Sequence, residues 1–495
     1  MKSGSITIFF SMIVTLLLSL FFSMSETIRI VEMNNHSGTI TQEALQSAFS
    51  EYQRYLWDEY GVLALDAGYG GIAEGTSLVQ EKLAEYCWEN CNDVEDGEKS
   101  GNDFFRLALE SCNITEYELL TDNNGEWFRY QGALAAKQQI TEDLITQWAK
   151  STQESTGNAV ETKEIEQRVE DAKTAMETPK EEESSSQNTP TENMDNAEIP
   201  EVIQRDNPLE VFRQIKEEGW LGLVTENGIS EKAMSLDGAV SVRKRNEGSR
   251  PADIQKTDLT DTLFYQWYLM NTFGRYGNTK GDRGLDYEVE YIINGKQSDR
   301  ENLESVVEKV LALREGENLI TILTTPSMLQ QANQVAISLA GVSGNPALIQ
   351  VVQGAVVAVW ALVESILDVR SLLQGKKIPI IKNQSNWTSE LYTLGAYLGS
   401  GYYAKEVENG ISYEQYLNLF LTTLSQEKSG LRPMDLMENQ LHRQEDYVEV
   451  KMDHMICSMQ AQIVCVGNPI FLTFVSDISR NVDWYHYFNT KEIHY

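Results

Sequence analysis

Residues 3–25 read SGSITIFFSMIVTLLLSLFFSMS and carry no charged side chain. Lys2 precedes this run and Glu26 follows it. As a helix, a run of this length spans roughly 30 Å, which is the thickness of the hydrocarbon core of a bilayer. The segment therefore predicts a membrane anchor, and the lipid bilayer is the first expected partner.

Two other interpretations of this run remain open. A cleaved signal peptide has an apolar centre of about 7–15 residues and a small-x-small cleavage site, which Ser23-Met24-Ser25 resembles. The apolar centre here, residues 6–24, is longer. We therefore favour an uncleaved anchor over a signal peptide, and both over a buried soluble helix. Because Lys2 precedes the span and no basic cluster closely follows it, we expect a single-pass protein of the cell membrane with a cytoplasmic N-terminus and an extracytoplasmic bulk.

Composition excludes several classes of protein. The chain has 495 residues, a formal net charge of −34 and 41% apolar residues. Binding of nucleic acid requires a basic surface, so this acidity argues against a nucleic-acid partner. Five cysteines in a chain of this length exclude a disulfide-rich scaffold.

Beyond the anchor (residues 1–25), the apolar spacing predicts a stalk helix over residues 26–60, because Leu45, Phe49 and Leu56 recur on one helical face. Residues 61–150 predict a first α+β portion, with short strands at 62–67, 105–109 and 117–120 separated by turns.

Residues 151–207 differ sharply from the rest of the chain. They hold 15 acidic and 5 basic residues and no aromatic side chain. Such a composition cannot bury enough apolar surface to offset chain entropy, so it predicts a disordered acidic linker. Residues 208–495 then form the main α+β portion, with a capping box at Ser298 and Glu301 and alternating apolar residues from 447 onward. The predicted class is α+β, richer in helix than in strand, with terminal β-structure.

A second apolar run, residues 355–363 (AVVAVWALV), needs a separate interpretation. Polar residues and a proline interrupt the wider region, and Glu364, Asp368 and Arg370 follow closely. We favour a buried helix in a folded core. A second membrane pass remains open.

Two parts of the sequence resemble known families. Residues 4–9 (GSITIF) and 26–29 (ETIR), on either side of the span, are similar to the N-termini of TadE/TadG-like proteins, the pilin-like minor components of tight-adherence pili. Further blocks resemble a family of uncharacterised membrane-anchored proteins from Firmicutes; these are residues 48–52, 56–61, 285–292, 295–303, 364–370 and 410–413. The match covers most of the chain except the acidic linker.

The resemblance implies a pilin-like protein of the cell envelope that acts by assembly or by binding partners, among them other membrane proteins of pilus or secretion type. Gly4, Glu26 and Arg29 are then the candidate interaction residues. Glu26 and Arg29 either form a helical ion pair at the membrane surface or align the helix with that of a neighbouring subunit. A prepilin cleavage site has a glutamate five residues after its glycine, and Phe9 occupies that position here. The resemblance therefore favours a TadG-like protein that is retained in the membrane.

No pattern of catalytic chemistry accompanies these features. The sequence has no phosphate-binding loop, no dinucleotide fingerprint and no HExxH pair. We therefore predict no catalytic, cofactor-binding or metal-binding residues and no enzymatic activity. The alternative is a cell-surface enzyme or small-ligand receptor that uses acidic residues, and its candidates are Glu364 and Asp368, four apart on one helix face.

The remaining acidic and sulfur-containing residues allow more than one interpretation. The spacing of Asp286, Glu288 and Glu290 places all three on one side of a predicted strand, where they either face water or bind a cation. Cys87, Cys91 and Cys112 are buried thiols, disulfide partners or, least favoured, metal ligands. Cys457 and Cys465 lie in the terminal β-region, where core packing also explains them.

Overall fold

The computed structural model describes residues 3–72, 75–92, 94–95, 98–99, 105, 107–146, 148, 207–226, 228–250, 254, 259–340, 345–471 and 485–495. The chain divides into two compact units. The first comprises Met1–Ala135, Val240–Thr257 and Met437–Tyr495, and the second comprises Ala136–Ala239 and Asp258–Leu436.

The first unit is built on an antiparallel sheet whose central strand comes from the far end of the chain. The strands are β1 (Leu65–Asp66), β4 (Leu107–Leu119), β5 (Met455–Gly467) and β6 (Tyr485–His494), and β2 (Val94–Glu95) and β3 (Glu98–Lys99) form a separate pair. One edge of β5 pairs with β4, and its other edge pairs with β1 and β6. Enclosure on both edges fits the almost continuous burial of β5.

Four helices accompany this sheet: α1 (Ser3–Ser50), α2 (Arg54–Tyr60), α3 (Ser77–Asn92) and α4 (Asp122–Gln139). The second half of α1 packs against α3, β5 and β6, and α3 packs against β4. The side chains that α1 contributes to this core are apolar and buried, namely Met33, Ile40, Ala44, Leu45, Ala48 and Phe49. Their three- and four-residue spacing gives α1 one apolar stripe that the sheet covers.

The second unit is helical. Its helices are α5 (Pro208–Glu218), α6 (Trp220–Val224), α7 (Leu259–Thr272), α8 (Glu288–Asn294), α9 (Asp299–Thr324), α10 (Pro326–Ala340), α11 (Pro346–Leu373), α12 (Tyr413–Thr422) and α13 (Gln426–Leu441), the last of which continues into the first unit. A 3-10 helix spans Leu391–Leu398. The helix α11 is central, because α5, α6, α9 and α10 all pack against it.

The predicted α+β class is confirmed, as is the terminal β-structure. The predicted anchor and most of the stalk belong to one helix, α1, which runs unbroken to Ser50; α2 then ends at Gly61, whose φ of 65° suits a helix C-terminus. The two strands predicted at 105–109 and 117–120 are one strand, β4. The polar residues between them point to the exposed face of an alternating strand rather than forming a turn.

The division into units differs from the sequence-based one, which placed residues 208–495 in one portion. Pairing of β5 with β4 and β1 brings the C-terminal residues into the same unit as the N-terminal helix. Such long-range pairing leaves no mark in local periodicity. The predicted acidic linker, residues 151–207, lies outside the described residues apart from Asn207, which caps α5.

The second apolar run lies within α11. This helix is long and apolar enough to cross a membrane. Its residues from Val356 to Leu373 nevertheless include a continuous buried stretch, with Val356, Val357 and Val363 fully enclosed. The burial favours the core helix of a folded unit over a second membrane pass.

Substitution of a stripe residue on α1 tests this packing. Leu45 is fully buried between α1 and the sheet, whereas Leu134 on α4 is 37% exposed. Leu45→Ala leaves a cavity and should lower the free energy of unfolding by about 2–5 kcal/mol, as measured by chemical denaturation in detergent. Leu134→Ala is the matched control and should cost much less. Equal losses for the two variants would contradict the packing described here.

Candidate functional site

The first half of α1 is an apolar surface that is largely exposed in the described part of the chain. Every side chain from residue 6 to residue 24 is exposed, and this run, called the exposed segment below, contains Ile6, Phe9, Leu16 and Phe21, each at least 60% exposed. Exposure of this much apolar surface to water is strongly unfavourable. At about 1.5 Å per residue the segment matches the thickness of a bilayer core.

Three polar side chains of the exposed segment form hydrogen bonds within the helix. The hydroxyls of Ser11 and Thr15 donate to the carbonyls of Ile8 and Ser11, each at 2.8 Å, and Ser19 donates to Leu16. In hydrocarbon no water is present to take these protons, so internal bonding removes the main cost of placing a hydroxyl there. The segment is therefore compatible with lipid along its whole length. Gly4 lies in the first turn of the same helix.

A buried ion pair marks the point where α1 passes from the exposed segment to the packed half. Nη1 of Arg29 donates to Oε1 of Glu26 at 3.0 Å, and both side chains are almost fully buried. Arg29 also donates to the carbonyls of Asn468 at 2.7 Å and Phe105 at 2.6 Å. The second carboxylate oxygen of Glu26 accepts from the amides of Ile470 and Phe471.

These contacts revise the interpretation of Glu26 and Arg29. A helical ion pair was one expectation; the structure shows that pair and also buries both groups. They hold α1 to the residues that follow β5 and to Phe105, two residues before β4. The ring of Phe22 stacks on that of Phe471 with a centroid distance of 6.0 Å, which extends the contact by one turn. The pair therefore fixes the direction in which the exposed segment leaves the first unit.

The predicted acidic pair, Glu364 and Asp368, lies in the core of the second unit. Lys382 bridges the two carboxylates, and Arg314 donates to Oδ2 of Asp368 at 2.9 and 3.0 Å. All four side chains are fully buried. Burial disfavours the charge of Asp368, but Arg314 and Lys382 outweigh this effect and lower its pKa. The arrangement is a buried ion network that joins α9, α11 and the segment that follows α11.

The second acidic group, Asp286, Glu288 and Glu290, does not lie in the strand that the sequence predicts. Glu288 and Glu290 lie in a helix, α8, and are buried, so they neither share one side of a strand nor face water. Glu288 pairs with Arg283, and Asp286 pairs with Lys232. Oε1 of Glu290 accepts from the Tyr413 hydroxyl and the Tyr276 amide. Burial raises the pKa of both glutamates to about 7. Alternation over so short a stretch does not separate a strand from one buried turn of helix.

Metal binding has no support in the described residues, which contain no group of three or more His, Cys, Asp or Glu side chains arranged to hold an ion. All five cysteines lie within the described part of the chain, and each is a buried thiol.

A polar cavity in the first unit was missed from the sequence. It has a volume of about 630 Å³ and is lined by residues 243–250 and 121–124. Arg243 binds Glu438 and Asp453, and Arg250 binds Glu118 at 2.6 Å together with Glu116 and Glu492. Four basic residues within 243–250 of a strongly acidic chain were the available signal. Because carboxylates neutralise Arg243 and Arg250, residues 243–250 serve mainly to join neighbouring elements of the first unit through ion pairs.

Comparisons with known proteins place most of the described second unit in one family. Residues 200–467 match the family of unknown function DUF5702. No curated protein and no solved structure matches this chain.

Removal of Arg29 tests the junction. Arg29→Ala leaves the Glu26 carboxylate buried without its counter-charge and two carbonyls without a donor, so the first unit should lose about 3–5 kcal/mol of stability. Thermal unfolding in detergent measures the loss. Arg54→Ala is the control, because the Arg54–Asp58 pair is exposed and should contribute at most about 1 kcal/mol. An Arg29 variant as stable as the Arg54 variant would contradict a stabilising role of the Glu26–Arg29 pair.

Glu290 predicts how stability depends on pH. An unfolded glutamate titrates near 4.5, and the folded value is about 7. Between these values the folded state holds the extra proton, so stability falls as pH rises through this window and is level above it. Glu290→Gln imitates the protonated form, and its melting temperature should fall less over the window, by roughly 5 °C. Glu308→Gln, on the exposed side of α9, should behave like the unmodified protein. Identical pH profiles for both variants would contradict a neutral Glu290.

Proposed function

The chain belongs to DUF5702, a family of unknown function, and from that premise we propose that it is a membrane-anchored, pilin-like protein of the cell envelope. It acts by assembly or partner binding and carries out no catalysis. Its partners are the lipid bilayer and other membrane proteins of pilus or secretion type.

One observation carries this proposal. A single helix, α1, is apolar and exposed over residues 6–24 and then packs its second half on an antiparallel sheet. The exposed segment is apolar enough to span a membrane. Because the helix is continuous and clamped at Arg29, the span and the folded unit move together. Lateral contact between spans would therefore fix the arrangement of the folded units, as assembly of pilin-like subunits requires.

The exposed segment also has a face suited to such contact. Ser11, Thr15 and Ser19 recur every four residues, so they lie on one side of the helix. Small side chains allow the backbones of two membrane helices to approach closely. Their hydroxyls already donate within α1, so close approach leaves no unsatisfied proton. Phe9 in place of the glutamate of a prepilin site supports a subunit retained in the membrane.

The orientation follows from charge. Lys2 precedes the span and Glu26 follows it, which favours a cytoplasmic N-terminus and an outer location for both folded units. The alternative of a surface enzyme or small-ligand receptor draws no support from Glu364 and Asp368, because Lys382 and Arg314 neutralise both in a buried network.

Membrane extraction tests the anchor. The full chain should remain in the membrane pellet after washing with alkaline carbonate, and protease added to intact, wall-stripped cells should digest both folded units. A variant that lacks residues 2–25 should appear in the soluble fraction with an unchanged melting profile. Release of the full chain by carbonate, or complete protection from external protease, would overturn the proposal.

Photocrosslinking tests assembly through the span. A photoreactive phenylalanine at Thr15 lies on the small-residue face, and one at Leu17 lies on roughly the opposite side of the helix. Adducts in intact membranes should be several-fold more abundant from position 15. Equal or absent adducts at the two positions would argue that the span serves as an anchor only.

A further inference from the structure

Four of the five cysteines form a cluster in the core of the first unit. Cys87 and Cys91 lie one turn apart on α3, Cys112 lies on β4, and Cys465 lies on β5. All four are less than 9% exposed and belong to the same apolar core. The sulfur atoms therefore meet where α3 covers the sheet.

The cluster consists of two separate pairs. Sγ of Cys91 lies 3.9 Å from Sγ of Cys465, and Cys87 lies in the same buried core as Cys112, where α3 packs on β4. In the sheet Cys112 is opposite Ile463 and Cys465 is opposite Leu109, so the two strand cysteines are offset along the sheet. One turn of α3 gives the helix cysteines a matching offset. Each helix cysteine thus faces its own partner on a different strand.

We propose that these pairs are two structural disulfides, Cys87–Cys112 and Cys91–Cys465, which join α3 to β4 and to β5. Each pair of thiols gives up two protons and two electrons as its S–S bond forms. The electrons reduce the disulfide of an exogenous thiol oxidant to two thiols. The oxidising surroundings are those of the outer side of the membrane, so formation in the cell depends on the outward orientation proposed above.

The chemistry of each pair suits this exchange. The hydrogen bond within the first pair raises the pKa of Cys87 and lowers that of Cys112. The hydrogen bond from the Cys91 thiol likewise lowers the pKa of Cys465. A thiolate is the attacking species in thiol–disulfide exchange. In each pair one cysteine attacks the oxidant as its thiolate, and its partner then displaces the oxidant's sulfur to close the S–S bond.

The fifth cysteine remains a thiol in this scheme. Cys457 lies on β5 outside the cluster, with Nε2 of Gln131 at 3.9 Å from its sulfur. Two disulfides use four of the five cysteines, so Cys457 remains a thiol. It is fully buried. Closing the Cys91–Cys465 pair from 3.9 Å to a bonded distance of about 2.05 Å requires only a small local shift.

Peptide mapping of the full chain tests the pairing. Cells are quenched in acid, thiols are alkylated before reduction, and the protein is digested with a glutamate-specific protease that cuts after Glu89, between Cys87 and Cys91. After further cleavage with cyanogen bromide at Met459, which separates Cys457 from Cys465, we expect two crosslinked peptide pairs, Cys87 with Cys112 and Cys91 with Cys465, and alkylation of Cys457 alone. A second sample, purified in detergent, is treated with oxidised glutathione and mapped in the same way.

The outcomes separate the pairing from the orientation. Crosslinks in the purified protein with reduced thiols in cells would support the pairing and count against the outward orientation. Alkylation of all five thiols in the oxidised, purified protein would overturn the proposal, as would a Cys87–Cys91 bond or a bond to Cys457.

Two variants complete the test. Cys91→Ser should lose one crosslink and keep Cys87–Cys112, whereas the control, Cys457→Ser, should keep both. Reduction of the oxidised protein should lower its melting temperature by about 10 °C, and by less in Cys91→Ser. An unchanged melting temperature on reduction would show that no structural disulfide is present.

Discussion

A helix that passes from an exposed apolar segment into a folded unit must change its surroundings within one or two turns, and α1 makes this change at Glu26 and Arg29. The guanidinium neutralises the carboxylate and donates to two carbonyls, and the carboxylate accepts from two amides. Nearly every polar atom at the junction is thereby satisfied without water. Removal of one partner from such a pair costs much more than the pair contributes on balance. The contact therefore specifies where α1 changes its surroundings more than it adds stability.

Buried charged side chains are also paired in the second unit, at α11. Lys382 and Arg314 neutralise Glu364 and Asp368 in a fully buried network. An apolar helix with charged residues at its C-terminal end looks like a membrane span by composition, yet here those charges point inward and meet partners. The acidity of the chain is accordingly not concentrated at a site. Many of its buried acids pair with arginine or lysine, and others, such as Asp66, Asp122 and Asp299, accept from backbone amides.

Prediction from sequence succeeded where local chemistry decides the structure. The exposed segment, the C-terminus of α2 at Gly61 and the capping box at Ser298 depend on residues that are adjacent in the chain. Prediction failed where residues that are distant in the sequence determine the structure. Pairing of β5 with β4, β1 and β6 determines the division into units, and the periodicity of apolar residues in the sequence does not indicate this pairing. The burial of Arg29 and the partners of Glu364 could not be predicted for the same reason, because Asn468 and Lys382 reach them only through the fold.

The central position of β5 has a consequence for biosynthesis. The hydroxyl of Tyr495 donates to the carbonyl of Phe49 across a sequence separation of 446 residues. At a synthesis rate of about 5–20 residues per second, many seconds pass between the emergence of α1 and that of its sheet. The helices of the second unit can fold during that interval, whereas the apolar stripe of α1 has nothing to cover it. A chaperone that shields this stripe until translation ends would therefore raise the yield of the native protein.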